Sequence, residues 1–156
     1  MRVLLQRVRS AEVRVAGSLT GAIGPGYLAL IGVARDDTPA DVSYLCRKIL
    51  AVRLWPDEHG KMNRSLLEAV HPPAVLAVSQ FTLLADTRRG LRPSFDAAAP
   101  PELARSLYDL LVQQLRASGV SVSTGIFQAE MDVALFNQGP VTIWLESPSR
   151  PSSHPA

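Results

Sequence analysis

The segment 136–146, FNQGPVTIWLE, restricts the fold more than any other part of the sequence. Val141, Ile143 and Leu145 alternate with Thr142, Trp144 and Glu146, the period-two pattern of a half-buried strand. Yet Gly139-Pro140 stands at the head of that strand, directly behind another apolar run, MDVALF at 131–136. Proline donates no ladder hydrogen bond and glycine weakens a strand, so the pair is out of place at the head of a regular strand. The chain carries its own control. Gly24-Pro25-Gly26 has glycine on both sides of the proline and reads as a plain turn, a chemistry the second pair lacks.

The remaining patterns build a fold around this strand. VLLQRV, EVRVAG and YLALIGV are short apolar segments separated by RSA and TGAIGPG. A helix follows, capped by Thr38, with Pro39 in its first turn and Asp41 at its positive end. Val42, Leu45, Cys46, Ile49 and Leu50 form its apolar stripe. VRLWPDEHGKMN reads as a strand, a turn and a return, and AVLAVSQFTLL at 74–84 is the most hydrophobic strand candidate. DTRRGLRPSFDAAAPP holds too much Gly and Pro for a regular element. A second helix is predicted over 101–118, with Leu103, Leu107, Leu110, Leu111 and Leu115 as its stripe and Gly119 as its stop. VSVSTG, MDVALF and VTIWLE complete the strands. Because strands and helices do not alternate, a doubly wound sheet is not expected. The prediction is one α+β domain over 1–147, with a curved, barrel-like, mostly antiparallel or mixed sheet and two amphipathic helices. The Pro/Ser-rich stretch 148–156 reads as a disordered tail.

Composition narrows the function classes. With 47% hydrophobic and 19% charged residues, the chain can bury one core and is not a disordered polymer. Its longest apolar run, at 26–34, is far short of the roughly 20 residues that cross a bilayer. A second arginine follows too soon after the N-terminus for a secretory leader, so a soluble cytoplasmic protein is expected. Cys46, the lone cysteine, excludes an internal disulfide and reads as a core thiol. A net charge of +2 with a pI near 9.0 permits an RNA or phosphate partner without requiring one.

The usual catalytic equipment is missing. His59, His71 and His154 have no metal-ligand spacing with one another or with Cys46, so neither metal nor cofactor is expected. There is no G-x-S-x-G elbow, no Gly-rich phosphate loop before a helix, and no ready-made general base. An enzyme built on this chain must use main-chain groups or a group of its substrate. Ser79-Gln80-Phe81-Thr82 ends the strongest strand, and alternation sets Gln80 and Thr82 opposite Ser79 and Phe81. Four such residues fit a solvated rim or the floor of a site. Arg88, Arg89 and Arg92 fit a solvated loop or RNA-backbone contacts. Arg7 and Arg9 fit an exposed sheet face or a buried guanidinium that holds main-chain carbonyls.

Together, VSQFTL at 78–83, RRGLRPSF at 88–95, AAAPP at 97–101 and NQGPVT at 137–142 closely resemble the D-aminoacyl-tRNA deacylase family, also called D-tyrosyl-tRNA deacylase. LLQRV, GAIGPGYLALIGV and DEHGKMNRSL match as well, so the likeness covers about residues 1–147. The resemblance implies a carboxylic ester hydrolase that frees tRNA and a D-amino acid, with glycyl-tRNA mischarged on the alanine tRNA as a further substrate. It implies a homodimer with active sites at the subunit interface, acting on the 3′ end of aminoacyl-tRNA, with no membrane or DNA partner. Gly139 and Pro140 would form a cis main-chain wall in the partner's site that excludes L-aminoacyl groups. Ser79, Gln80, Phe81 and Thr82 would surround the scissile ester, with main-chain N–H near Phe81 and Thr82 as oxyanion support and the ribose 2′-hydroxyl assisting water. Arg7 would anchor the Gly-Pro segment alongside Asn137 and Thr142, and Phe127 and Met131 would hold the terminal adenosine. Two other readings accompany it: a non-catalytic module that binds the tRNA end, and a sister deacylase with a trans Gly-Pro bond acting on some L-aminoacyl-tRNAs.

Overall fold

Strand β1 (Arg2–Val15) organises the molecule. In this computed structural model, which describes residues 1–148, β1 pairs antiparallel with three partners: β2 (Ser18–Ile23), β3 (Gly26–Gly32) and β8 (Asp132–Glu146). From β3 the sheet continues in parallel through β6 (Ala74–Ser79) to β7 (Ser121–Thr124), giving one mixed six-stranded sheet. Its far ends approach each other. Ser123 Oγ donates to the Ala22 carbonyl at 2.9 Å, tying β7 to β2 and giving the sheet its barrel-like curvature. A Cβ on Gly21 would lie 2.5 Å from the Thr124 carbonyl oxygen, so only glycine admits this approach. A small antiparallel ribbon, β4 (Trp55–Pro56) and β5 (Met62–Arg64), stands apart.

Helices α1 (Pro39–Ala51) and α3 (Pro101–Ala117) pack together over one face of the sheet. Val42, Leu45, Cys46 and Ile49 of α1 meet Leu107, Leu111 and Leu115 of α3 in a core completed by Val3, Leu5, Tyr27, Ile31 and Val75. Each fully buried leucine here is worth roughly 2 kcal/mol relative to exposure, which fixes α3 against the strands. Cys46 sits in that core, and burial pushes its thiol above its ordinary value. A second apolar cluster joins Val8, Ala11 and Val13 to Leu28, Leu76 and Val78, with Met131, Val133 and Leu135 against it.

The α+β mixed sheet and the two long amphipathic helices agree with the sequence reading. Several boundaries differ. VLLQRV and EVRVAG form one continuous strand, because β8 follows β1 throughout and absorbs the break as shifts of register. Residues 20–23, read as connecting turn, belong to β2. A third, short helix, α2 (Leu66–Ala69), is fixed by the Ser65 N–H donating to Glu68 at 2.7 Å. β6 stops at Ser79, and Phe81–Leu84 coils into a 3-10 turn, so strand alternation does not govern Gln80 to Thr82. MDVALF and VTIWLE are likewise one strand, with the Gly-Pro pair inside it. The expected disorder of 148–156 falls on residues that, after 148, lie outside the described ones.

Candidate active site

A pocket of about 540 Å3 opens where β6 ends. Ser79, Gln80 and Phe81 form one side, Pro101, Ala104 and Tyr108 of α3 form a second, and Phe127 and Met131 close it from the segment before β8. The structure therefore brings together two sets of residues predicted from distant parts of the chain. Local chemistry puts them there. The Gln80 N–H donates to the Ile31 carbonyl at 2.7 Å, extending the β3–β6 ladder by one residue before the chain coils. A Cβ on Gly125 would lie 2.5 Å from Met131 Sδ, so glycine at 125 makes the room Met131 occupies. Phe127 packs against the Tyr108 ring at 6.1 Å and lies beneath the Arg105 guanidinium at 5.7 Å.

The chemistry of the wall is defined by two features. First, no carboxylate, imidazole or ammonium among the described residues lines it, and its single phenol is already engaged. Tyr108 donates to the Ala77 carbonyl at 2.9 Å, and burial pushes its pKa above the ordinary tyrosine range. Second, the backbone N–H groups of Phe81 and Thr82 have no acceptor among the described residues, being the leading amides of the 3-10 turn. Thr82 itself is exposed beside the pocket, and its Oγ1 accepts from Gln80 Nε2 at 2.5 Å. Nothing near it among the described residues is equipped to take a proton from its hydroxyl.

Gly139 and Pro140 do not reach this pocket. Gln6 pairs with Thr142 and Val8 with Asn137, so Gln138, Gly139, Pro140 and Val141 bulge out opposite Arg7 alone. The bulge is held at its base and open at its tip. Arg7, only 8% exposed, donates from Nε to the Gln138 carbonyl at 2.9 Å and from Nη1 to the Leu54 carbonyl. Its guanidinium also lies 5.5 Å from the Trp55 ring centre. Asn137 closes the loop with its side chain: Oδ1 accepts from Val141 N–H at 2.7 Å, and Nδ2 donates to the Val141 carbonyl at 3.1 Å. Thr142 Oγ1 accepts from Asn137 and Gln6. Gly139 and Pro140 stay exposed, and their peptide bond is cis, as is that of His71-Pro72. With φ at +138° and a Cβ position 2.7 Å from Val141 Cγ2, position 139 demands glycine.

Arg88, Arg89 and Arg92 sit in a loop closed by paired hydrogen bonds between Asp86 and Ser94. Arg9, by contrast with Arg7, faces solvent. The sequence reading missed the α3 wall. Ala104 and Tyr108 were hidden by a leucine stripe that explained the helix without them, and nothing in a lone alanine marks it as lining a cavity.

The family model described as D-Tyr-tRNA(Tyr) deacylase matches residues 4–146. The chain belongs to that family. It is 56% identical over 147 residues to a D-aminoacyl-tRNA deacylase of Thermomicrobium roseum, covering 94% of each chain. It is 54% identical to the protein of that name from Symbiobacterium thermophilum, covering 94% of this chain and 96% of the relative. Among solved structures, a c-Myc DNA unwinding element binding protein superposes with a TM-score of 0.87 at 38% identity, over 96% of this chain and all of that one. A probable eukaryotic D-amino acid tRNA deacylase shares the fold, with a TM-score of 0.71 at 15% identity over 93% of this chain and 98% of that one. No helix among the described residues is long and apolar enough to cross a membrane.

Proposed function

We propose that this family member is a D-aminoacyl-tRNA deacylase, hydrolysing the ester that joins a D-amino acid to the 3′ end of tRNA. The observation that carries the reading is a pocket lined by no acid or base, beside a 3-10 turn whose two leading N–H groups have no acceptor among the described residues. In the proposed mechanism the ester carbonyl sits at the 3-10 turn, and the amides of Phe81 and Thr82 receive the negative charge that develops on its oxygen. Preorganised donors of this kind often supply the largest catalytic contribution. The attacking water is assisted by the ribose 2′-hydroxyl, since the pocket offers no side chain for that task. Ser79 and Gln80 frame the ester. Phe127 and Met131 hold the terminal adenosine, the aromatic ring giving a face on which a base can stack.

Chirality is read by Gly139-Pro140 of the partner subunit in a homodimer. Their absence from the pocket lining of their own chain, their exposure, and their fixation by Arg7, Asn137 and Thr142 support a role in trans. A main-chain wall excludes the L side chain rather than recognising the D one, so glycyl-tRNA is a substrate too. The cytoplasm is the proposed site of action, in keeping with a tRNA substrate. The test is hydrolysis of matched D-tyrosyl- and L-tyrosyl-tRNA, where only the D-ester should be lost rapidly. Binding of the tRNA end without loss of either ester would sink the enzymatic reading. Equal hydrolysis of both would remove the chiral wall.

A further inference from the structure

The loop that carries Arg88, Arg89 and Arg92 is built as a hairpin. Asp86 and Ser94 exchange backbone hydrogen bonds of 2.8 and 2.9 Å at its base, and Gly90 turns its tip with φ at +69°. Inside the hairpin the three arginines are not equivalent. Arg88 is clamped to Asp86: Nη2 donates to Oδ2 at 2.6 Å, Nε to Oδ1 at 2.9 Å, and the Arg88 N–H to Oδ1 at 3.0 Å. The fork holds the Asp86 carboxyl down at about 2, so the clamp is fully ionised at neutral pH. Arg89 and Arg92 have no ion pair or side-chain hydrogen bond among the described residues and stand in solvent. The hairpin is also fastened to the site. Phe95, just past its base, packs edge-on against Phe81 of the pocket wall, with ring centres 5.0 Å apart.

We propose that the 86–94 hairpin is a rigid arm that grips the RNA backbone through Arg89 and Arg92 alone, with Arg88 committed to Asp86 as its internal strut. The inference rests on the tRNA reading of the pocket and names how the rest of that RNA is held. An arm rising from the pocket rim meets the chain just upstream of the terminal nucleotide. Its free groups are guanidinium forks, which match phosphate oxygens and carry no base preference. A carboxylate next to the RNA would repel it unless neutralised, and the clamp neutralises Asp86. Arg88 therefore contributes shape rather than net attraction.

The test is the salt dependence of binding to uncharged tRNA, read as the slope of log Kd against log salt. Removing one arginine–phosphate pairing lowers the slope by about 0.7–0.9. Arg89→Gln and Arg92→Gln should each lower it by about that amount, with the lysine variants keeping the charge and the slope. The double variant Asp86→Asn/Arg88→Gln, which removes both halves of the clamp, should leave the slope within error of the parent, and Asp86→Asn alone, which frees Arg88, should raise it. Equal slopes for the parent and all variants, or no tRNA binding even at low salt, overturn the arm. A drop for the double variant equal to that for Arg89→Gln overturns the division of labour. Cleavage of a D-tyrosyl ester of adenosine, which lacks upstream phosphates, separates the two readings. Unchanged cleavage across the hairpin variants is expected, and its absence in the parent would count against the deacylase while the slopes still decide the arm.

Discussion

At Gly24-Pro25 the chain passes from β2 to β3 in open surroundings, and a Cβ on Gly24 meets nothing within 4 Å. At Gly139-Pro140 the same dipeptide bulges from the middle of a strand, with Arg7 and Asn137 gripping its base and a backbone that only glycine tolerates. Contrary to the sequence reading, the first pair is no chain reversal: β2 and β3 follow one another in the same direction along β1, so Gly24-Pro25 only bends the chain on and asks nothing special of position 24. The second is held rigid while its tip is left exposed, the arrangement that the proposed role as a main-chain edge in a partner's site requires. The dipeptide does not determine its use; the residues bonded to it do.

Breaking the grip should have the largest effect. Arg7→Ala removes a buried cation and strands the carbonyls of Leu54 and Gln138, so denaturant unfolding should show a loss of about 3 kcal/mol. Deacylation should fall with it, and Arg7→Lys should recover little, because a point charge cannot fork to both acceptors. Gly139→Ala comes next. Its φ and its closeness to Val141 should cost about 1–3 kcal/mol and, by displacing the wall, let the L-ester be hydrolysed beside the D-ester even where the protein remains folded. Asn137→Ala loosens the bulge by removing its bonds to Val141 and Thr142, at roughly 1–2 kcal/mol, and should relax the discrimination between D- and L-esters. Gly24→Ala should be the smallest, within about 0.5 kcal/mol of the parent and fully active. If Gly24→Ala relaxed the D/L discrimination as much as Gly139→Ala, the distinction between the two pairs would be wrong.

Much of this was legible in the sequence. Both long helices announce themselves by stripes that follow the 3.6-residue period, and α1 by its Thr38–Asp41 start. The oddity of a Gly-Pro pair at the head of an alternating strand marked the segment, but not that it bulges from the middle of one long strand. Its scaffold did not show, because Arg7 is brought opposite residues 138–141 only by the pairing of β1 with β8. A guanidinium in β1 looks the same in sequence whether buried like Arg7 or exposed like Arg9. The polar end of β6 was visible, but the coil at Phe81 that frees two amides depends on the ladder with β3 ending at Gln80. The hairpin's division of labour was equally hidden: three arginines in five positions are alike until one of them folds back on Asp86.

The central claim is that Gly139-Pro140 of one subunit completes the pocket of another, and complementation tests it most directly. A chain with its pocket filled by Ala104→Trp should hydrolyse neither ester, and a chain with Gly139→Ala should hydrolyse D- and L-tyrosyl-tRNA alike. Co-refolded with an excess of the Ala104→Trp chain, the Gly139→Ala chain should keep D-ester hydrolysis and lose L-ester hydrolysis, because the heterodimer sets an intact Gly-Pro segment against its open pocket. If L-ester hydrolysis persists although heterodimers form, the Gly-Pro segment does not act in trans, and the chiral filter must lie within a single chain.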